Sequence, residues 1–394
     1  MNKMTIKDID LKNRTVLMRA DFNVPQDANL NITDDTRIRA TLPTIKYILQ
    51  NGAKKLILIS HLGRPEGRVV EKYSLKPVAE RLSELLGEPV KFLNDCIGES
   101  IKKESASAAE RVVLLENLRF HAEEEGNEAN FAKALAGLGE VFVNDAFGTA
   151  HRAHASTEGV THYLKAVAGF LLEKEIQYLG AAVANPQKPF MVILGGAKVS
   201  DKIGVIENLL PKCDTILIGG GMCYTFLLAQ GKKIGNSKLE KDKLDLAKNL
   251  LEKAKQLNKE IVLPVDNLVV DKIDAQAKTE IVGENIPDGK IGVDIGPKSI
   301  ALFEEKLKTA KTIVWNGPLG IFEMDPFSKA TGEIAKFIST LPATTIIGGG
   351  DTAAAVAKFK LEDKMTHIST GGGASLEFLE GKNLPGVAAL ANKA

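Results

Sequence analysis

The chain has 394 residues and a net charge of only +1, with 44% hydrophobic and 26% charged residues. This composition excludes a disordered, fibrous or membrane-embedded chain, and the balanced charge gives no overall field to attract nucleic acid or an anionic membrane. We therefore expect a soluble protein with no nucleic-acid or membrane partner. Because single hydrophobic cores stop growing beyond about 250 to 300 residues, we also expect two lobes.

The three cysteines, Cys96, Cys213 and Cys223, are widely spaced and form no CxxC pattern. This usage argues against a disulfide framework or a zinc site and is typical of a reducing compartment. The N-terminus lacks an apolar signal core, and the longest uncharged run, residues 215–231, is interrupted by the glycines at 219–221. We expect a cytoplasmic protein.

The first half of the chain contains predicted strands at residues 15–19, 55–60, 112–115 and 141–143. The second half contains predicted strands at residues 190–194, 215–218, 261–264, 312–315, 345–347 and 367–369. Helical patterns separate these runs, which is typical of parallel sheets built from βαβ units. Residues 167–189 carry a predicted helix, FLLEKEIQYLGAAVA, that the turn sequence NPQKP ends. We predict two Rossmann-like α/β lobes, each a parallel sheet flanked by helices, with the lobe boundary in this segment.

Arginine is confined to one part of the chain, whereas lysine is spread along all of it. All ten arginines lie in the first 152 residues, at positions 14, 19, 37, 39, 64, 68, 81, 111, 119 and 152. The planar guanidinium group makes paired hydrogen bonds to phosphate and carboxylate, which indicates oriented anion recognition in this half. Open α/β sheets bind ligands beyond the carboxyl ends of their strands, and four arginines follow strands in this way: Arg37, Arg64, Arg119 and Arg152. We predict that these four converge, and that Arg68, Arg81 and Arg111 are plain surface charges.

Acidic and amide residues in the first half could have purely structural roles or functional ones. Asp21 and Asn23 directly follow a predicted strand, where they could bond a substrate hydroxyl or simply shape a turn. The acidic run at residues 123–125 is expected to be a solvated face.

The histidines of the first half are candidate metal ligands or anion contacts. His151 and His154 are spaced so that they could share one face of a helix and bind a metal ion. Arg152 lies between them and would repel a cation, so an anion contact or plain packing is favoured. The same interpretation applies to His61, which lies beside Gly63 and Arg64.

Glycine-rich loops follow most strands of the second half, where a backbone without side chains lets a ligand approach closely. Lys198 and Lys202 follow one such loop and are predicted on the first turn of a helix, where the helix dipole disfavours positive charge. Positive charge at this unfavourable position indicates a bound anion such as phosphate. The glycines at 219–221 are expected only to make a tight turn.

Asp351, in the segment GGGDTA, is placed to cap a helix N-terminus. If phosphates occupy that loop, the carboxylate needs a divalent ion to offset repulsion, so Asp351 is also a candidate Mg²⁺ ligand. The segment also fits a G-x-G-x-x-A dinucleotide fingerprint, which leaves a nicotinamide-dependent dehydrogenase as an alternative. That fold needs an acidic residue after the next strand, which here ends in Ser369 and Thr370. A non-catalytic sensor of nucleotide and anion is the third alternative.

A series of motifs along the chain resembles the phosphoglycerate kinase family. In chain order they are DFNVP, SHLGRP, ENLRF, VNDAFGTAHRAHAST, GGAKVSDKIG, IGGGM, VWNGPLGIFE, GGGDTAA and STGGGASLE. The resemblance implies reversible phosphoryl transfer from 1,3-bisphosphoglycerate to ADP, giving 3-phosphoglycerate and ATP, with Mg²⁺ bound to the nucleotide. Leu319 in NGPLG is the one variation noticed, since the family more often has methionine or proline there.

The resemblance also implies roles for individual residues. Substrate contacts are implied for Asp21, Phe22, Asn23, Arg37, His61, Leu62, Gly63, Arg64, Arg119 and Arg152. Nucleotide contacts are implied for Gly196, Lys198, Lys202, Gly292, Asn316, Glu323, Gly349, Gly350, Asp351, Thr352 and Ala353. Within these sets, Arg37 would stabilise the transferring group with Lys198 as the second catalytic residue, Asp351 would hold the Mg²⁺, and Glu323 the ribose.

The implied domain organisation has four parts. Residues 1–170 form the 3-phosphoglycerate domain, 171–188 the interdomain helix and hinge, 189–375 the nucleotide domain, and 376–394 a tail that returns to the first lobe. Because the two ligands bind separate lobes, we expect a closing step, with residues 167–189 and the STGGGAS segment as the hinge. We expect a monomer.

Overall fold

The computed structural model describes residues 2–393. The chain divides into two compact units, and the boundary lies between Gln177 and Tyr178. The first unit includes the chain from Asn383 onward, and the second unit is Tyr178–Lys382. None of the described helices is both long and apolar enough to cross a membrane.

The first unit contains a six-stranded sheet in which every pairing is parallel. Its strands are β1 (Thr15–Arg19), β2 (Lys55–Ile59), β3 (Val90–Phe92), β4 (Val112–Leu114), β5 (Val141–Asn144) and β6 (Ala166–Ala168). They lie in the order β3-β4-β2-β1-β5-β6. The helices are α1 (Thr36–Gln50), α2 (Lys76–Leu86), α3 (Glu99–Ser107), α4 (Ala122–Glu125) and α5 (Ala129–Ala136). The next helix, α6 (Phe170–Ala184), contains the boundary between the units.

The central strands of this sheet are buried on both faces, because helices cover a parallel sheet on both sides. All residues of β2 are buried, and the apolar side chains of its neighbours pack into the same core. Continuous apolar runs such as KLILI at β2 are therefore what the sequence shows in place of alternation. The core places the polar residues at the strand ends, where ligands can reach them.

The second unit contains another parallel six-stranded sheet and a small antiparallel one. The strands are β7 (Phe190–Leu194), β8 (Thr215–Ile218), β9 (Glu260–Val262), β10 (Asn267–Val270), β11 (Glu280–Val282), β12 (Ile291–Ile295), β13 (Thr312–Asn316), β14 (Thr344–Gly348) and β15 (His367–Ile368). The parallel sheet has the order β15-β14-β13-β7-β8-β9, and the antiparallel sheet has the order β11-β10-β12. The predicted fold class, two α/β lobes built on parallel sheets, is confirmed.

The helices of the second unit are α7 (Ile203–Leu209), α8 (Cys223–Ala229), α9 (Leu244–Gln256), α10 (Pro297–Leu307), α11 (Lys329–Ile338), α12 (Gly350–Lys358) and α13 (Gly373–Leu379). The last helix, α14 (Pro385–Ala388), belongs to the first unit. Its second residue, Gly386, donates its N–H to the Ala150 carbonyl oxygen at 2.8 Å, and that carbonyl lies among the loops that follow β5. The predicted helix FLLEKEIQYLGAAVA is confirmed as α6, with the same first and last residues.

Candidate functional site

Four neighbouring strands of the first unit lead into the loops that carry its candidate residues. Strands β4, β2, β1 and β5 are adjacent in the sheet and parallel, so their carboxyl ends lie at one edge. Asp21 follows β1, His61 follows β2, Arg119 follows β4 and Arg152 follows β5. The topology therefore brings four separate motifs to one place.

The DFN segment after β1 is fixed by polar contacts to its neighbours. Asp21 forms an ion pair with Arg37, which lies on the first turn of α1. Asn23 accepts a hydrogen bond at Oδ1 from the Gly63 N–H at 2.8 Å, and it donates its own N–H to Asp21 Oδ1 at 3.2 Å. Phe22 is fully buried, and its N–H donates to Ser60 Oγ at 2.9 Å. Asp21 and Asn23 thus shape a turn and, at the same time, present polar atoms at the strand ends.

His61 is buried and held in one tautomer by Arg19. The Arg19 guanidinium lies with Nη2 at 3.1 Å from His61 Nδ1. Since a guanidinium group has only donors, Nδ1 accepts this bond and the ring proton lies on Nε2. Burial lowers the pKa of His61 well below its usual value, and the charges of Arg19, Arg119 and Arg37 lower it further. His61 is therefore a neutral hydrogen-bond donor surrounded by positive charge.

Arg119 is the most buried of the four arginines predicted to converge, with 8% exposure. Its turn is fixed by Asn117, whose Oδ1 accepts the Arg119 N–H at 3.1 Å, and its Nη1 donates to the Gly63 carbonyl at 3.0 Å. Burial lowers the pKa of Arg119, and the nearby charges of Arg152 and Arg64 lower it further. Arg64 and Arg152 are themselves exposed.

Charge interactions link the four arginines to two buried residues of this edge, Arg119 and His61. The charges of Arg152 and Arg64 act on Arg119, and those of Arg119 and Arg37 act on His61. Leu62 is buried beside His61. By contrast, Arg81 is paired with Asp35 at 2.7 Å, and Arg111 donates to the Leu49 carbonyl at 2.7 Å, so both hold the scaffold.

Two buried charged residues of this unit were missed or misinterpreted in the sequence. Arg19 is fully buried, although nothing in its pattern distinguishes it from a strand-end surface charge. The prediction that residues 123–125 form a solvated face is wrong at Glu124, which is fully buried while Glu123 and Glu125 are exposed. Helix α4 is a single short turn, which gives the sequence no periodicity to show which residue points inward.

His151 and His154 do not lie on a helix, so the spacing argument for a metal site is wrong. His151 lies in a turn just after the short 3-10 helix Phe147–Thr149, and His154 lies in an irregular segment beyond it. Burial lowers the pKa of His154 to about 4, and the charges of Arg119, Arg19 and Arg152 act in the same direction. Both observations favour the alternative interpretation, packing within an anion-binding region.

A cavity of about 510 Å³ lies within the second unit. Its lining comes mainly from the loops after β7, β8 and β13 and from strand β12. It comprises Gly196, Ala197, Gly220, Gly221, Tyr224, Asn236, Lys238, Ile273, Ile291, Gly292, Val293, Pro318, Gly320, Ile321, Glu323 and Asp351. Gly220 has φ +64°, and a Cβ atom there would lie 2.6 Å from the Gly196 nitrogen. Adjacent loops thus pack backbone against backbone.

The glycines at 219–221 do more than make a turn. Gly220 and Gly221 also line the cavity. The sequence analysis predicted only a tight turn for them. Gly292 also lines it, and a Cβ atom there would lie 2.2 Å from Tyr224 Oη. Small residues at these positions keep the cavity open.

The prediction that Lys198 and Lys202 share the first turn of a helix is wrong. Helix α7 begins at Ile203, Lys202 is the residue before it, and Lys198 lies in the preceding loop and is exposed. The structural reason is that Val199 and Ser200 donate their N–H groups to the carboxylate of Glu240, which fixes this segment as turns.

Lys202 and Asn316 bond each other and leave one buried donor of Asn316 available. Lys202 donates to Asn316 Oδ1. Asn316 is 1% exposed, and within residues 2–393 its Nδ2 has no hydrogen-bond partner. A Cβ atom on Gly349 would lie 3.2 Å from this Nδ2. A buried donor without a partner costs about 1 to 3 kcal/mol, so an oxygen ligand beside Gly349 would be favoured.

Asp351 is the second residue of α12 and not its N-cap, so the predicted capping role is wrong. Gly349, with φ +89°, occupies the N-cap position, because only glycine adopts that backbone angle without strain. The Asp351 carboxylate is exposed and lines the cavity. Within the part of the chain that the structure describes, the Asp351 carboxylate therefore makes no capping hydrogen bond to α12.

The residues around Asp351 include the remaining nucleotide candidates. Thr352 is buried and accepts the Gly317 N–H at 2.7 Å, which fixes the NGPLG loop. The Ala353 N–H donates to the Gly349 carbonyl at 3.1 Å. Glu323 is exposed at the cavity, whereas Gly350 is exposed at the start of α12.

The sequence model of a family described as phosphoglycerate kinase matches residues 6–382. The chain belongs to the phosphoglycerate kinase family. A phosphoglycerate kinase of Koribacter versatilis is 59% identical over 405 residues, covering 100% of both chains. A cytosolic phosphoglycerate kinase of Arabidopsis thaliana is 59% identical over 392 residues, which is 98% of this chain and 97% of that one.

Solved structures of the phosphoglycerate kinase family show the same fold. The Coxiella burnetii phosphoglycerate kinase matches with a TM-score of 0.91 and 43% identity, covering 98% of each chain. The Pyrococcus horikoshii phosphoglycerate kinase matches with a TM-score of 0.84 and 34% identity, also over 98% of each chain. Membership of the phosphoglycerate kinase family removes the dehydrogenase interpretation of GGGDTA.

One other group of side chains in this phosphoglycerate kinase family member has metal-type donors. Ligand atoms of Asp95, Cys96 and His121 lie within 4.8 Å of one another. His121 Nε2 lies 2.8 Å from Asp95 Oδ1, so these two side chains already bond each other. Burial raises the pKa of the Cys96 thiol, with the charges of Asp95, Glu124 and Glu116 acting in the same direction. The group is accounted for by packing and this hydrogen bond.

Proposed function

We propose that the protein catalyses reversible phosphoryl transfer from 1,3-bisphosphoglycerate to ADP, giving 3-phosphoglycerate and ATP. The observation that carries the proposal is the convergence of arginines around a neutral, buried His61 in a chain of this family. Transfer between two bound ligands needs charge neutralisation and positioning rather than a protein nucleophile. The first unit would meet these needs with arginine side chains, and the second with a cavity lined by glycine-rich loops.

We assign the phosphoglycerate to the edge of the first unit. Its phosphate suits Arg119 and the two arginines whose charges act on it, Arg64 and Arg152, because guanidinium groups bind phosphate through paired hydrogen bonds. His61 would donate from Nε2 without adding a charge. The hydroxyl and carboxyl region of the substrate falls to Asp21 and Asn23. Phe22, Leu62 and Gly63 shape the loops that hold these groups.

We assign the nucleotide to the cavity of the second unit. Gly196, Gly292 and Glu323 line it, and Glu323 is assigned to the ribose. The phosphates are assigned to Lys198, Lys202, Asn316 Nδ2 and the start of α12 with Gly349, Gly350, Thr352 and Ala353. Helix N-termini offer unpaired N–H groups and a favourable dipole to phosphate. The unpartnered Nδ2 of Asn316 supports this assignment, since a phosphate oxygen would satisfy it.

Asp351 is the residue that we assign to Mg²⁺. Magnesium in nucleotide sites is held by one or two carboxylates together with substrate phosphates, and the Asp351 carboxylate lines the same cavity. The donor chemistry therefore fits. When bound, the ion would neutralise charge on the nucleotide phosphates. Burial lowers the pKa of Lys202, and the charges of Asp201 and Asp351 offset part of this effect.

Arg37 and Lys198 are assigned to the transferring group itself. A guanidinium group that stabilises charge on the moving phosphoryl group contributes only in the transition state. Direct transfer requires the ligands of the two units to meet with water excluded, so we propose a closing step with a hinge at residues 167–189 and the STGGGAS segment. Small-angle scattering should show compaction when both substrates are present, and no compaction would contradict the closing step.

A coupled assay tests the reaction directly. Purified protein is given 3-phosphoglycerate, ATP and Mg²⁺, and each is omitted in turn. We expect turnover only in the complete mixture, with loss on omission of any single component. Turnover without Mg²⁺ would contradict the metal assignment alone, whereas binding of both substrates without turnover would support a sensor and contradict the enzyme.

We also propose that the protein is a cytoplasmic monomer. The cysteine usage of the sequence supports a reducing compartment, and the two proposed half-sites lie on one chain. Light scattering after size exclusion should give the mass of one chain, 42.4 kDa. A mass of twice this value would contradict the monomer.

A further inference from the structure

The buried carboxylate of Glu124 is not used by the mechanism proposed above. It lies on the single-turn helix α4, is fully buried, and points toward the segment at residues 152–157. Its Oε2 accepts the Ser156 N–H at 3.0 Å, and its Oε1 accepts the Ser156 hydroxyl at 2.5 Å. The Glu124 carbonyl also accepts the Ala155 N–H at 2.9 Å. One residue thus fixes the loop that carries Arg152.

The hydroxyl of Ser156 continues this connection toward the substrate edge. It donates to Glu124 and accepts from Arg19 Nε at 2.8 Å. The same guanidinium group lies with Nη2 3.1 Å from His61 Nδ1 and donates through Nη1 to the Ala20 carbonyl at 2.5 Å. A continuous chain of bonds therefore runs from Glu124 through Ser156 and Arg19 to His61.

The charges along this chain depend on one another. Arg19 is a fully buried cation, and the carboxylate of Glu124 is the strongest influence that keeps it charged against the effect of burial. In turn, Arg19 is the strongest influence that favours the ionised form of Glu124. Removing one partner of a buried ion pair leaves the other uncompensated, which is more damaging than loss of an exposed pair.

We propose that Glu124 is a positioning residue for phosphoglycerate binding, which acts through Ser156 and Arg19 to fix both the Arg152 loop and the tautomer of His61. Glu124 itself touches no substrate. The proposal rests on the proposed function, since it assigns this edge of the first unit to phosphoglycerate. It predicts a defect confined to one of the two substrates.

The variant Glu124→Gln tests this role. Glutamine keeps the size of the side chain, removes its charge and leaves one carbonyl acceptor for two donors of Ser156. We expect the KM for 3-phosphoglycerate to rise at least about tenfold, the scale of one lost charge-assisted hydrogen bond, while the KM for ATP stays within about twofold. A merely structural role would raise both values or neither, and either result in a folded variant would overturn the proposal.

The control is Glu123→Gln, which makes the same chemical change on the same helix at an exposed position. It should leave both KM values unchanged. An equal rise in the KM for 3-phosphoglycerate in both variants would assign the effect to overall charge and overturn the positioning role. Thermal unfolding of each variant shows whether it is folded.

The variant Ser156→Ala keeps the proposal testable if Glu124→Gln does not fold. It retains both buried charges but removes the hydroxyl that joins Glu124 to Arg19. We expect the KM for 3-phosphoglycerate to rise and long-range ¹H–¹⁵N spectra of His61 to change from a single Nε2–H tautomer to a mixture. An unchanged KM and an unchanged tautomer would overturn the proposal.

The spectra also separate the two proposals. Absence of turnover in the wild-type protein would contradict the proposed function, whereas the tautomer of His61 reports the bond chain without any assay of activity. A change of tautomer in Ser156→Ala would then support the connection itself. An unchanged tautomer would contradict the connection whatever the reaction.

Discussion

The two units of this protein share an architecture but present opposite kinds of chemistry at their strand ends. In the first unit, arginine and histidine side chains converge on one edge of the sheet. In the second unit, glycines such as Gly196, Gly220 and Gly292 remove side chains from the edge and leave a cavity. On the proposed assignment, the first unit recognises its anion with side chains, and the second exposes backbone for its ligand to approach.

This difference explains why arginine is absent from the second half of the sequence. A small anion that must be held in one orientation suits paired guanidinium bonds, because their geometry is fixed. A chain of nucleotide phosphates suits N–H groups and flexible lysines such as Lys198 and Lys202, because these follow the ligand with little bulk. On this proposal, two parallel-sheet units serve different tasks mainly through the loops at their strand ends.

The largest expected effect is that of Arg37→Ala. Arg37 is assigned to the transition state, so its loss should lower kcat by roughly 10³-fold, the scale of arginines that stabilise phosphoryl transfer. Steady-state kinetics measures this, with Arg39→Ala as the control, because Arg39 lies on the same helix but is paired with Asp35 at 2.7 Å. A loss confined to KM would place Arg37 among the substrate-holding arginines instead.

The second largest effect is expected in the other unit, for Gly220→Ala. A Cβ atom at this position would lie 2.6 Å from the Gly196 nitrogen and 2.9 Å from the Pro318 carbonyl oxygen, so the cavity loops must move apart. Displacements of about 1 Å can reduce catalysis on the order of 10²-fold. Because the cavity is assigned to the nucleotide, we expect this variant to bind ATP more weakly and 3-phosphoglycerate unchanged. Titration calorimetry with ATP and with 3-phosphoglycerate measures each substrate separately.

The matched control for Gly220→Ala is Gly231→Ala. Gly231 has φ +83°, so both variants introduce a similar backbone strain, but a Cβ atom at Gly231 would meet nothing within 4 Å. Equal losses of ATP affinity in both variants would mean that backbone strain, and not the packing of the cavity loops, is responsible. Weaker binding of 3-phosphoglycerate alone would reverse the assignment of the two units.

The sequence predicted the scaffold of both units well, because long buried strands have strong apolar patterns. Strands β1, β7 and β8 and helix α6 have the predicted bounds. The missed strands β3 and β6 have only three residues each, too few for a pattern. In the antiparallel sheet, β11 was missed because residues 280 and 281 are exposed. Strands β10 and β12 are mostly buried, but Asn267 and Asp294 interrupt their short apolar runs.

The candidate site was predictable in its exposed parts and not in its buried ones. The convergence of arginines followed from their positions after strands, which a sequence shows directly. Glu124 and Arg19 could not be found in this way, because burial of a charge depends on partners distant in sequence, such as Ser156. Lys198 and Asp351 were placed wrongly relative to their helices, since hydrogen bonds of neighbouring residues decide where a helix begins.

One property that the two units share gives the next prediction. Burial raises the pKa of Asp145 in the first unit and of Asp294 in the second to about 7. A raised pKa in the folded protein means that stability is greatest below the unfolded value near 3.8 and is lost as the pH rises through about 7. Each neutral carboxyl group should thus stabilise its unit at low pH.

The substitution Asp145→Asn should remove this dependence, because asparagine resembles the neutral carboxyl. We expect the free energy of unfolding of the variant minus that of the wild type to be larger, meaning a relatively more stable variant, by on the order of 2 kcal/mol at pH 8 than at pH 5. Urea unfolding at the two pH values measures this difference. Asp294→Asn should show the same sign in the second unit, and a difference of opposite sign would contradict the neutral form of the carboxyl group.

The smallest expected effect is that of Arg64→Ala. Arg64 is exposed, so its bonds to phosphate compete with water, and we expect the KM for 3-phosphoglycerate to rise only about tenfold. Added salt should reduce the difference from the wild type, since exposed charges are screened. Arg68→Ala is the control, because it removes the same charge from the same loop at a position outside the converging set. If both variants lose the same affinity, the first unit attracts its substrate through overall positive charge, and the contrast between side-chain recognition and backbone recognition then holds only for the buried residues Arg119 and His61.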